Sequence, residues 1–91
     1  MDEAIAIRLF DVRVSGSGAA TVLVKGTEAF QLSTVGSYIW TMCDGEHTVG
    51  EIADGVHRMF AVDHQVAVTD THEFVHQLGE AKLVELIPAP R

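Results

Sequence analysis

Apolar and polar residues alternate through the first third of the chain and then change period. Phe10, Val12 and Val14 take every second position, Ser15-Gly16-Ser17-Gly18 interrupts, and Val22 and Val24 resume the alternation. Two half-buried strands joined by a turn read this way. Lys25-Gly26-Thr27 makes a second turn. Glu28-Ala29-Phe30-Gln31-Leu32 then forms a third short strand with Phe30 and Leu32 on one face. Ile5, Ile7 and Leu9 also alternate, but out of register with Phe10, Val12 and Val14. Either a bulge joins the two runs or the extreme N-terminus lies elsewhere.

After Leu32 the spacing becomes helical. Ser33 or Thr34 can cap a helix that turns Val35, Ile39, Trp40 and Met42 or Cys43 to one side and ends at Asp44-Gly45. Thr48-Val49-Gly50-Glu51 has the form of a capping box, opening a second helix with Val49, Ile52, Ala53, Val56 and Phe60 on its stripe. Two short helices about a tight Asp-Gly corner suggest a helix-turn-helix. A third helix is expected from about Val66 to Ala81. The tail Leu83 to Ile87 is apolar enough to pack, and Pro88 and Pro90 end the order. No repeat or low-complexity tract is present.

At about 100° per residue, the third helix places Phe74, Leu78, Ala67 and Ala81 around one centre, the expected core stripe. Val68, Val75, Gly79 and His72 extend it on one flank only. A widened flank of this kind is what a binding groove requires.

Composition changes the picture in one respect. The 91 residues are 47% hydrophobic and 21% charged, as expected of a single folded domain. Six basic against thirteen acidic residues leave a net charge of -7, and such a field repels phosphate, which disfavours nucleic acid as a partner. No apolar run approaches the roughly 20 residues of a membrane span. With one cysteine and no basic-then-apolar leader, a soluble protein of the reducing cytoplasm, without a membrane partner, is expected.

Two motifs invite a chemical reading. His72-Glu73-Phe74-Val75-His76 matches the pattern in which two histidines one turn apart bind zinc and a glutamate acts as base. Tetrahedral zinc needs a third protein ligand. The extended form of the motif continues through Gly79 and then fails at Lys82, a cation where a ligand should stand. Cys43, beside Asp44, lacks the cationic surroundings that activate a thiol. Gly16 and Gly18 do not open a helix and so make no phosphate loop. No catalytic residue, metal ligand or cofactor is therefore assigned.

The run from Glu28 to Val56 and the run from Val68 to Glu85 together resemble the PqqD-like family, the peptide-binding domains known as RiPP recognition elements. The resemblance rests on Leu32, Ser33, Gly36, Ile39-Trp40, Asp44-Gly45 and Thr48-Val49-Gly50-Glu51-Ile52. Asp70, Phe74-Val75, Leu78 and Lys82-Leu83-Val84 complete it. It covers about residues 10 to 86 of one domain spanning 1–91. It implies an α+β, winged helix-turn-helix-like fold, a three-stranded antiparallel sheet followed by three helices. It implies a non-enzymatic adaptor that binds the leader of a ribosomally made precursor peptide by strand addition. The adaptor then presents that leader to a radical S-adenosylmethionine enzyme, a peptidase or a cyclodehydratase. On this reading Glu28, Ala29, Phe30, Gln31 and Leu32 supply the strand edge and Val68, His72, Val75, Gly79 and Lys82 the opposite wall. Phe74 anchors the core. The alternative is a DNA-binding winged helix-turn-helix regulator, for which the second helix offers Arg58 against Glu51 and Asp54.

Overall fold

The computed structural model describes residues 3–88. Its order is β1 (Ile5–Arg8), β2 (Arg13–Ser15), a 3-10 turn (Gly18–Ala20), β3 (Val22–Lys25), β4 (Glu28–Gln31), α1 (Thr34–Met42), β5 (Asp44–Thr48), α2 (Val49–Phe60), α3 (His64–Glu80) and β6 (Val84–Ile87). The fold is α+β with three helices, as expected, but it holds two antiparallel three-stranded sheets, ordered β2-β3-β4 and β5-β1-β6.

The first sheet is the one the alternation predicts. Its register pairs Leu23 with Phe30 and Val24 with Ala29, which turns Leu23 and Phe30 inward. The second sheet answers the question of the N-terminus: Ile5–Arg8 is a strand elsewhere, central between β5 and β6. Phe10 belongs to neither sheet and stands fully exposed. The Asp44-Gly45 corner also differs from expectation. It begins β5, and Gly45, at φ +83°, packs under the Ile7 side chain of β1. Pairing with β1 is what extends residues that read locally as a turn.

Caps fix the helices. Ser33 Oγ accepts the Gly36 N–H at 3.0 Å. Thr48 and Glu51 close a reciprocal capping box at the start of α2. Asp63 accepts from Gln65 N–H and starts α3 two residues earlier than the apolar spacing suggests. At the other end of α1, the Arg8 guanidinium donates to the carbonyls of Trp40 and Thr41. A cation on the last carbonyls of a helix is favourable, and here it ties the second sheet to α1.

The core gathers Leu23, Ile39, Trp40, Ile52, Val56, Ala67, Val75, Leu78, Leu83 and Val84, with α2 and α3 packed closely against each other. The buried stripe of α3 is Ala67, Thr71, Val75 and Leu78. This corrects the division of α3 expected from the sequence. Val75 is wholly buried and faces the core, whereas Phe74 is half-buried. The physical reason is Thr71, a polar residue that nevertheless lies at the centre of the buried face, and its hydroxyl has no hydrogen-bond partner among the described residues.

Two measurements check this packing. Val75→Asp places a carboxylate in the core and should cost more than about 3 kcal/mol, enough to unfold a domain of marginal stability. Phe74→Ala, at a half-buried position, should cost less than Val75→Asp in the same denaturant titration. The second concerns β5, where His47 Nδ1 lies 2.9 Å from the Asp44 carboxylate. The hydrogen bond that His47 donates to the Asp44 carboxylate raises the His47 pKa above 6.5. The hydrogen bonds from His47 and the Glu46 N–H lower that of Asp44 below 3.8. A raised histidine stabilises fully below its ordinary value and loses that contribution as pH rises through the raised one. A lowered carboxylate stabilises above its ordinary value and loses that contribution as pH falls. His47→Ala should therefore destabilise most between about pH 4.5 and 6.5, and less at pH 8. The pair is partly exposed, so solvent screening holds the difference to no more than about 1 kcal/mol.

Candidate peptide-binding site

β4 is an edge strand among the described residues. The Leu32 N–H donates to the Thr21 carbonyl, so with the observed register the residues that bond to β3 are Glu28, Phe30 and Leu32. In an antiparallel ladder the alternate residues point their groups the other way. Ala29 and Gln31 thus turn their N–H and C=O groups outward, away from β3.

The second half of α3 runs beside this edge. At one end the Phe74 ring packs on Gly36, so close that a Cβ there would lie 3.0 Å from the ring. At the other end the Lys25 ammonium donates to the Lys82 carbonyl and lies 3.4 Å from Asp11. β4 spans the same two points, since Glu28 pairs with Lys25 and Leu32 leads into the cap of α1. By helical spacing Asp70, Phe74 and Ala81 share one flank of α3, the flank that makes the Phe74–Gly36 contact. Beside Phe74 a cleft of about 230 Å³ opens between the helices, bordered by Ser33, Val35, Gly36, Val62 and Asp70. The arrangement is an unpaired strand edge facing a helix flank, with an apolar recess at one end and a carboxylate, Asp70, on its rim.

The family model of coenzyme PQQ synthesis protein D, PqqD, matches residues 20–84, which include this edge, this flank and the recess. The chain belongs to the PqqD family. Similar solved structures agree with the fold. One, TbiB1 in complex with the TbiA(beta) leader peptide, is 25% identical with a TM-score of 0.75, covering 87% of this chain and 94% of that one. Another, a lasso peptide synthetase B1 complexed with the leader peptide, is 20% identical with a TM-score of 0.77, covering 90% and 99%. No curated protein matches the sequence.

Within this PqqD-family fold the residues singled out from the sequence separate. Glu28, Ala29 and Gln31 are exposed on the β4 edge and Phe30 is half-buried, but Leu32 is a core residue. Val75 is likewise core. Val68 and His72 are half-buried on the flank of α3 opposite Phe74, and Gly79 and Lys82 line a different cleft, towards β6. Asp70 and Phe74, which the sequence reading did not assign to the wall, border the recess between the helices. Their signal was the position of Phe74 at the rim of the true stripe, visible once Thr71 is counted among the inward residues.

The chemical motifs resolve structurally. His76 pairs with Glu80 at 2.8 Å on the exposed surface, and no group of three or more His, Cys, Asp or Glu residues is placed to hold a metal among the described residues. Cys43 is buried, its thiol directed at the Ile39 carbonyl, and burial pushes its pKa up to about 12. It is a protonated core residue, as its sequence context suggests. His57 and His64 meet edge to face, one bonded to the Val62 carbonyl and the other to Asp54, across the turn from α2 to α3. No described helix is long and apolar enough to cross a membrane.

A metal assay tests the histidine motif directly. After dialysis against a chelator the protein should carry no stoichiometric zinc by mass spectrometry, because two imidazoles without a third protein ligand bind weakly. One zinc held per chain would contradict this.

Proposed function

We propose that this chain is a non-catalytic adaptor that binds the leader segment of a ribosomally made precursor peptide along β4 and presents it to a modifying enzyme. The observation that carries the reading is the outward-facing backbone of Ala29 and Gln31 opposite the Phe74 flank of α3. An extended peptide added there gains a donor and an acceptor from each of those two residues, and main-chain bonds of this kind supply affinity without regard to sequence. Selectivity comes from the side chains that alternate towards α3. An apolar leader residue fits the recess beside Phe74, and a basic or hydroxyl-bearing neighbour meets Asp70. TbiB1 and the lasso synthetase B1, both solved with leader peptides, support the same reading.

Several enzyme classes could receive the leader, among them radical S-adenosylmethionine enzymes, peptidases and cyclodehydratases. The reading places the domain in the cytoplasm, where precursors are translated. It also accounts for the acidity of α2, whose exposed residues include Glu51 and Asp54 beside Arg58, an arrangement unsuited to a recognition helix in the DNA groove.

A synthetic leader peptide, chosen from short precursor genes found near the gene for this chain, provides the test. In an NMR titration the amides of Ala29 and Gln31 and the Asp70-to-Ala81 flank should move most. Gln31→Pro removes one outward N–H without disturbing the ladder to β3, and should weaken binding about tenfold or more, since a lost edge bond and a blocked approach together exceed about 1.4 kcal/mol. Shifts confined to α2, with unchanged affinity for the proline variant, would refute the reading.

A further inference from the structure

The molecule has a second strand edge on the other side of α3. Leu9 N–H donates to the Leu83 carbonyl, and the register continues through Ile7 with Glu85 and Ile5 with Ile87. Those are the residues of β6 that bond to β1, so Val84 and Leu86 turn their N–H and C=O groups away from it; Val84 is buried, and the half-buried Leu86 carries the accessible part of this edge. β6 ends its sheet among the described residues. Between this edge and the last turns of α3 lies a cleft of about 460 Å³. Leu9, Gly79 and Leu86 contribute its apolar part, and Glu80, Lys82 and Glu85 its charged rim.

This cleft adjoins the end of the first groove. Lys82, whose carbonyl takes the Lys25 ammonium at the β3–β4 hairpin, also borders the cleft. A peptide leaving the β4 edge at its Glu28 end therefore meets the C-terminus of α3. Passing round a helix about 10 Å across takes about three or four extended residues. We propose that the stretch of precursor flanking the β4-bound strand wraps round the end of α3 and pairs with β6 at Leu86. An aliphatic side chain of that stretch occupies the cleft over Gly79, and a Lys or Arg meets Glu85 and Glu80. The basic character follows from Glu80 and Glu85, which outnumber Lys82 at the rim although Glu80 also pairs with His76, and from the net charge of -7. The inference rests on the leader reading and extends it to a second, separate contact.

Gly79 gives the test. A Cβ there meets nothing within 4 Å and its φ is not positive, so Gly79→Trp fills the cleft without strain in the helix; circular dichroism checks the fold. Two synthetic peptides are titrated by fluorescence anisotropy: the short segment that covers β4 alone, and the full leader of the same precursor. For the wild type the full leader should bind more tightly, and only the full leader should shift the amides of Val84 and Leu86. In Gly79→Trp the full leader should lose about tenfold, as expected for loss of one buried anchor, while the short segment binds as before. Glu85→Lys, at an exposed position, should weaken the full leader several-fold at low salt and leave the short segment unchanged. Equal affinity of both variants for the full leader, with Val84 and Leu86 unmoved, overturns the proposal. Loss of the short segment's affinity in Gly79→Trp also overturns it, since the cleft would then belong to the first groove. A short segment that fails to bind the wild type refutes the leader reading itself.

Discussion

The rotation of α3 about its own axis decides what every other part of this molecule faces. Ala67, Thr71, Val75 and Leu78 are buried along one line of the helix, and helix surfaces are read in 100° steps from such a line. With that line set against α2 and the core, Phe74 and Asp70 are turned to β4 while Gly79 and His76 are turned to β6. A helix rotated by one residue, with Phe74 inward, would empty the recess of its aromatic wall and turn Val75 towards β6. The close packing of α2 and α3, seated by the Thr48–Glu51 box and the Asp63 cap, is what prevents that rotation.

Peptide recognition then needs little from side chains. Open strand edges are hazards in most small proteins, because unpaired backbone groups accept any extended chain. Here β4 is short, flanked by the acidic Glu28 and overlooked by α3, so an incoming strand must fit between sheet and helix as well as pair. The net acidity of the domain acts in the same direction, favouring a leader with basic residues over nucleic acid. On the proposed reading, the half-buried Phe30 and Phe74 would give a leader apolar surface to cover, offsetting the entropy lost when a disordered segment becomes ordered.

Much of this was legible in the sequence where signals are local. Alternation and glycine turns marked β3 and β4, and the Thr48 box and Ser33 marked helix starts, because caps and turns act over a few residues. What could not be read depended on distant partners. Asp44–Thr48 carries a turn-like sequence and becomes a strand only because β1 lies beside it. Ile5–Arg8 alternates correctly, yet its place between β5 and β6 is set by a chain segment some eighty residues on. The site suffered most: one buried threonine, counted as polar, displaced the inferred stripe of α3. As a result Val68, His72, Val75, Gly79 and Lys82 were grouped on one wall, whereas Val75 is core, Gly79 and Lys82 line the cleft by β6, and Asp70 and Phe74 border the recess between the helices.

The central position of β1 has a further consequence for how the domain can be cut and joined. Ile5 sits opposite Ile87, so the two ends of the described fold lie side by side. Such a module tolerates insertion into a loop of a larger protein, or circular permutation, with little distortion of its host. Excision is another matter. A fragment confined to residues 20–84 keeps the family match but omits the strand that β5 and β6 share, the arginine that holds the last turn of α1, and the β2 neighbour of β3. The recognisable part of the sequence is thus smaller than the part that folds, and a minimal version of this domain has to begin before Ile5 and end after Ile87.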